Sequence, residues 1–175
     1  MEYVILGLLM IQPSTLYSLN KAFEQGISLF FSPSLGSINS AVKRLIEKGH
    51  VSQSESVENG RVKKGLTITE SGRQAFFEWM DAPLDSKNIE VSFLSRLYFL
   101  GLIEDDAHKK SLVQGMYACA KASKEVLDEV NENLDVLNIP EPYRNTFKYQ
   151  MKVLKYGIDT HDYALKWIEA LIKEL

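Results

Sequence analysis

Between Ser34 and Gly49 the apolar positions fall on one side of a helix. Leu35, Ile38, Val42, Leu45 and Ile46 recur at steps of three and four, while Ser37, Ser40, Lys43, Arg44 and Glu47 take the opposite side. Gly49 supplies the expected stop. From Val51 the period changes to two: Val51, Gln53, Glu55 and Val57 alternate with serines. Asn59-Gly60 then reads as a type I′ turn, and Val62, Lys64, Leu66 and Ile68 alternate with Arg61, Lys63, Gly65 and Thr67. After Thr69 the apolar set Ala75, Phe76, Phe77, Trp79 and Met80 starts another helix.

Upstream, residues 2–11 predict a short apolar helix with Val4, Ile5, Leu8 and Leu9 inward, closed by Pro13. Ser14 or Thr15 caps a second helix whose stripe is Leu16, Leu19, Ala22 and Phe23. A linker follows, with Phe30 and Phe31 plugging the floor between helices. Helix, basic-tipped hairpin, helix is the layout of a winged helix-turn-helix, which sets one helix in the major groove and the hairpin on nearby backbone. A small α+β domain with merely solvated charges fits the same pattern.

Beyond Trp79, the polar stretch around Pro83 marks a boundary, giving a winged-helix DNA-binding domain at 1–82 and a helical dimerisation domain at 83–175. Residues 89–103 predict an apolar helix, and Glu104-Asp105-Asp106 suits the N-terminus of the next. There Leu112, Met116, Cys119, Ser123, Val126, Val130, Leu134 and Leu137 form a near-heptad seam. After Pro140 and Pro142, the last helix carries Phe147, Met151, Leu154, Ile158, Leu165, Ile168 and Ile172, widened by Tyr156, Tyr163, Trp167 and Leu171. Two such helices offer more apolar surface than one hairpin buries, which implies a homodimer with Leu112, Met116, Val130, Leu154, Ile158, Leu165, Trp167 and Ile168 in its interface. The fold class expected is mainly α with one β-hairpin.

Charge sharpens this picture only when read locally. The net charge is −3, yet residues 1–80 hold eight Lys/Arg against seven Asp/Glu, and residues 81–175 hold twelve against sixteen. Lys43, Arg44, Lys48, Arg61, Lys63 and Lys64 all lie in the helix and hairpin, where phosphate contacts need them. No apolar run approaches the ~20 residues of a membrane span. The apolar start lacks the basic flank and cleavage site of a signal peptide, and a single cysteine, Cys119, suits a reducing cytoplasm. His50, His108 and His161 stand in no ligand spacing, and neighbouring carboxylates 104–106 diverge by about 100° on a helix, so no metal or cofactor is expected. No nucleophile elbow, phosphate-binding glycine loop or Cys-x-x-Cys points to an enzyme.

The runs ILGLL with PSTLYSL, then SLGSINSAVKRLIEKGHV, then GRVKKGLTITESGR, resemble the PadR family of bacterial transcriptional regulators over residues 3–80. Gly36, Ser37, Ile38, Ala41, Ile68, Thr69 and Gly72 match the family pattern; Asn39 and Ser40 replace its Tyr and Pro, and Leu66 replaces a Tyr. Of its usual Gly-Tyr pair only Tyr17 remains. The tail, with Trp167-Ile168 and Gly157, resembles the branch whose C-terminal helices interlock in a dimer. The resemblance implies a homodimeric repressor on a pseudo-palindromic operator, with Tyr17 near the DNA.

The residues assigned to DNA are therefore Tyr17, Ser34, Ser37, Asn39, Ser40, Lys43, Arg44, Arg61, Lys63 and Lys64. Small serines let the helix approach the groove floor, Arg44 or Lys43 can pair with guanine, and Asn39 can pair with adenine. The hairpin cations meet phosphates and carry little sequence preference. Phe93, Tyr98, Phe99, Tyr117, Tyr149, Tyr156, Tyr163 and Trp167 are either core and interface residues or the lining for a small aromatic effector, and the first reading is preferred. A winged-helix module turned to protein partners is the alternative to DNA binding.

Overall fold

A computed structural model describes residues 1–58, 61–85, 88–134 and 139–175, and for residues 56–58, 61 and 62 the backbone alone. The chain is mainly α-helical, with one small antiparallel sheet. It forms two compact units, Met1–Ala82 with Glu90–Ile103, and Pro83–Ile89 with Glu104–Leu175. The first unit's main segment ends at Ala82, and Glu90–Ile103 returns to that unit.

The first unit begins with α1 (Glu2–Ile11), and every residue from Val4 to Leu9 is buried. This is more than the one-sided stripe expected, because the helix is covered all round. A two-residue strand β1 (Ser14–Thr15) precedes α2 (Leu16–Gln25), whose N-cap is Thr15 accepting from the Ser18 amide at 3.1 Å. Leu19 and Phe23 carry the buried side of α2, and Leu16 and Ala22 are only half-buried. A 3₁₀ turn at Ile27–Leu29 leads on, with Phe31 tilted against Phe23 at 6.4 Å.

Helix α3 (Leu35–Glu47) buries Ile38, Ala41, Val42 and Leu45. Leu35 departs from expectation: at the first helical position it lies beyond the packed part of the face and is 59% exposed. Gly49 takes φ 72° just past the helix, as its end requires. Strands β2 (Val51–Glu58) and β3 (Arg61–Ile68) pair antiparallel from Val51 opposite Ile68 to Glu58 opposite Arg61. The Asn59-Gly60 turn lies outside the described residues. Strand β1 joins β3 on its other edge, Ser14 opposite Leu66 and Thr15 opposite Gly65, so the sheet order is β1-β3-β2. Two residues are too short for a period-two signal, which is why the sequence pattern does not reveal β1.

Helix α4 (Glu70–Asp81), capped by Thr69, adds Phe76 and Met80 to the core. Helix α5 (Ile89–Tyr98) and the turn Leu100–Leu102 complete the unit through Phe99 and Leu100. Phe99 meets Phe76 edge to face at 5.8 Å, and its ring lies where a Cβ on Gly7 would come within 2.7 Å. Burial of such a side chain is worth about 1.5–3 kcal/mol, so the segment that carries Phe99 is part of this core rather than a passing linker. Arg96 is buried, lies 5.3 Å from the Trp79 ring centre and donates to the Ala82 carbonyl, which offsets the cost of enclosing its charge.

The second unit is a helical hairpin of α6 (Asp106–Glu132) and α7 (Arg144–Glu174). Asp105 caps α6 by accepting from the amides of Ala107 and His108, as the acidic cluster predicts. Tyr117 donates to Glu169 at 2.6 Å, Lys124 lies 3.4 Å from Asp162, and Leu127 lies beside Gly157, so the helices run antiparallel. The buried line on α6 is Val113, Met116 and Ala120; Val126 and Val130, expected in the same seam, are exposed. A straight helix drifts about 20° per heptad from a 3.5-residue repeat, so a long seam leaves the contact. Leu137 lies outside the described residues.

Candidate nucleic-acid interface

The exposed side of α3 is built largely by its own capping chemistry. Ser34 Oγ accepts from the Ser37 amide at 3.2 Å and closes the first turn. Ser37 Oγ donates to the Ser34 carbonyl at 2.7 Å, and Ser40 Oγ donates to the Gly36 carbonyl at 2.9 Å. These protons are spent on the helix, so Ser40 faces outward chiefly as an acceptor, suited to an amino group on a base edge rather than to a phosphate. A Cβ on Gly36 would meet nothing within 4 Å, so the first turn is bare on that flank. The amides of Leu35 and Gly36 precede the first helical carbonyls and remain open to an outside anion.

Asn39 sits differently from the serines. It is half-buried, and its Oδ1 is enclosed without a hydrogen-bond partner. In this rotamer Oδ1 is turned inward, so the amide does not present both of its polar atoms outward. Lys43 is exposed, as expected. Arg44 is exposed but engaged: its Nε reaches Glu2 Oε1 of α1 at 2.6 Å, and Lys48 Nζ reaches Oε2 of the same carboxylate at 2.7 Å. Burial opposes the charge on Glu2, but the hydrogen bonds from Lys48 and Arg44 outweigh it and hold the carboxyl below its usual range.

On the same unit, Tyr17 of α2 is 77% exposed. Lys63 and Lys64 of β3 are exposed, and Lys64 lies 3.3 Å from Glu55, its opposite number on β2. The Arg61 side chain lies outside the described residues. The fold thus places Ser34, Ser37, Ser40, Lys43 and Arg44 on one helix, with the lysines on the adjoining hairpin. Sequence reading missed Glu2, because a pairing across 42 and 46 residues leaves no local pattern.

The residues assigned to a subunit interface divide into two sets. Met116, Ile158 and Ile168 are buried within one chain, where α6 and α7 pack, so they are not the surface a partner would cover. Leu112, Leu154 and Leu165 are half-buried. Val130 and Trp167 are exposed, together with Tyr149, Val153, Tyr156 and Tyr163 on α7. Of the aromatic residues considered for an effector, Phe99 belongs to the first unit's core, and Tyr117 is tied to Glu169. Among the described residues no group of His, Cys, Asp and Glu converges as a metal site, and no helix is long and apolar enough to cross a membrane.

Residues 5–78 match the sequence profile of the transcriptional regulator PadR-like family. A negative transcriptional regulator, PadR of Bacillus subtilis (strain 168), is 25% identical over 141 residues, covering 71% of this chain and 77% of that one. Among solved structures, Bacillus subtilis PadR in complex with operator DNA is 20% identical, with 99% of this chain and 97% of that chain covered and a TM-score of 0.46. The same protein in complex with p-coumaric acid is 21% identical, with 98% and 92% covered and a TM-score of 0.43. A PadR-like transcriptional regulator from Bacillus cereus is 23% identical, with 99% and 94% covered and a TM-score of 0.45.

Proposed function

We propose that this chain, whose residues 5–78 match the PadR-like family, is a cytoplasmic DNA-binding transcriptional regulator that represses from a pseudo-palindromic operator as a homodimer. The observation that carries the reading is the outer side of α3, where a bare first turn, backbone-tied serines and Lys43 adjoin a hairpin bearing Lys63 and Lys64. A helix of that kind reads base edges with its N-terminal residues while the hairpin cations hold the backbone. Selection of duplexes from a random pool, followed by a salt series, tests it: a regulator enriches one sequence and loses affinity steeply with salt. No enrichment and no salt-dependent binding would refute it.

The homodimer is supported by Tyr149, Val153, Tyr156, Tyr163 and Trp167, which recur at three-, four- and seven-residue steps on α7 and remain exposed. For a two-fold pair of winged-helix units the expected operator has half-sites about 34 Å apart. The Bacillus subtilis protein has been solved in complex with p-coumaric acid, and a small aromatic effector is a further part of the proposal for this chain.

Asn39 is assigned to adenine through a rotation of its amide out of the protein. An enclosed acceptor with no partner costs about 1–3 kcal/mol, so the present rotamer is poorly held. Asn39→Ala is expected to cost ~1–3 kcal/mol on the selected duplex and almost nothing on random DNA. Equal losses on both, measured by anisotropy, would remove Asn39 from base reading.

The hairpin lysines are assigned to phosphates. Lys63→Ala with Lys64→Ala should weaken all duplexes alike and flatten the salt dependence by up to about 2 in slope. If discrimination collapses while random-DNA affinity holds, the hairpin is a reader instead. The second reading, a winged-helix module for protein partners, is favoured by one observation: Arg44, Lys48 and Lys64 already face carboxylates. It predicts no salt-dependent duplex binding at all.

A further inference from the structure

Arg44 and Lys48 stand one turn apart on α3, and each takes one oxygen of the Glu2 carboxylate. That is how two cations share the two free oxygens of a DNA phosphate. The cations are 51% and 53% exposed, whereas Glu2 is 21% exposed and is carried by α1, the most enclosed helix of its unit. A phosphate can therefore reach both cations from solvent, in competition with the carboxylate.

We infer that Glu2 is a resident substitute for a DNA phosphate and sets how tightly the chain holds DNA of any sequence; the inference rests on the DNA-binding reading above. Exchange strips Glu2 of both its cations, and that loss is charged against every backbone contact made through Arg44 or Lys48. On random DNA nothing offsets it, so these two cations contribute little. On a cognate duplex, base contacts from the first turn of α3 hold the helix in the groove and the exchange proceeds. Glu2 is thus an affinity-limiting residue that never touches a base: it lowers binding to cognate and random duplexes alike. The sign is opposite to that of a brace. A carboxylate that only tied α1 to α3 would, when removed, loosen the recognition helix and weaken all binding.

The test uses the full chain, a random-sequence 24-base-pair duplex and a duplex enriched by selection, with anisotropy read across a salt series. Glu2→Gln is expected to bind random DNA roughly tenfold more tightly at low salt and to steepen the salt slope by about 0.9 for each cation released. Affinity for the selected duplex should rise as well. Glu2→Ala should act in the same direction, and adding Arg44→Gln and Lys48→Gln to Glu2→Gln should abolish the gain. Thermal melts confirm that each variant is folded. Unchanged or weaker random-DNA binding by both Glu2 variants, with the wild type binding normally, overturns the inference and leaves the DNA-binding reading standing. If neither the wild type nor Glu2→Gln binds any duplex, both fall.

Discussion

Removing residues 141–175 is expected to abolish operator binding and to leave a chain that sediments as a monomer or an aggregate. The deletion takes away α7 and with it Ile158 and Ile168, each worth about 1.5–3 kcal/mol of burial. Val113, Met116 and Ala120 of α6 lose the helix they pack against. The exposed stripe from Tyr149 to Trp167 disappears at the same time. Loss of a two-fold partner converts two linked half-site contacts into one, which lowers duplex affinity by roughly 10²–10⁴. A gentler variant separates the two effects. Val153→Glu with Tyr156→Glu charges the outer stripe and leaves the Tyr117–Glu169 and Lys124–Asp162 pairs in place. It should yield a folded monomer by sedimentation; a dimer that persists would place the subunit contact elsewhere.

Gly72→Ala is expected to be the most damaging single change to the winged-helix unit. Thr69 Oγ1 and Ser71 Oγ both donate to the Gly49 carbonyl, at 2.7 and 3.1 Å, and the Thr69 amide donates to the His50 carbonyl. These bonds fasten the start of α4 to the turn after α3. At that seam a Cβ on Gly72 would lie 2.2 Å from the His50 oxygen and 2.8 Å from Ile68 Cγ1. The oxygen belongs to backbone that is itself hydrogen-bonded, so it has little room to give. A cost of about 3 kcal/mol or more follows, and the melting temperature should drop by roughly 6–12 °C. A melt within two degrees of wild type would show that the seam yields.

The two predictions draw on opposite kinds of information in the sequence. The helix stops, caps and hairpin near Gly72 were legible because each leaves a local mark: Gly49 after an amphipathic run, Thr69 three residues before Gly72, and alternation on both sides of Asn59-Gly60. The long helices α6 and α7 were legible as elements for the same reason. What they bury was not, because heptad counting cannot say which side of a drifting stripe meets the neighbouring helix. Hence Met116 and Ile168, assigned to a second subunit, belong to one chain's own core, and Val126 lies outside the seam drawn for it. In the interface on α3 the residue types were legible and their engagements were not. Ser37 and Ser40 donate to their own helix, Asn39 turns its acceptor inward, and Arg44 meets a carboxylate from the second residue of the chain. Each of those outcomes depends on what the fold brings alongside.

Phe99 lying over Gly7 has a consequence for how the protein is made. Translation delivers residues 1–82 first, at about 5–20 residues per second, and domains begin to fold as they emerge. The winged part then exists without the ring that caps Gly7 and meets Phe76, and without the Arg96 bond to Ala82. For the time needed to synthesise α5, the nascent chain offers Phe76 and the flank of α1 to water and to whatever else is near. A chain truncated at Ala82 would remain this unfinished, sticky intermediate. Completion at Ile103, and not the end of the hairpin and α4, marks the moment when the first unit can leave chaperone care.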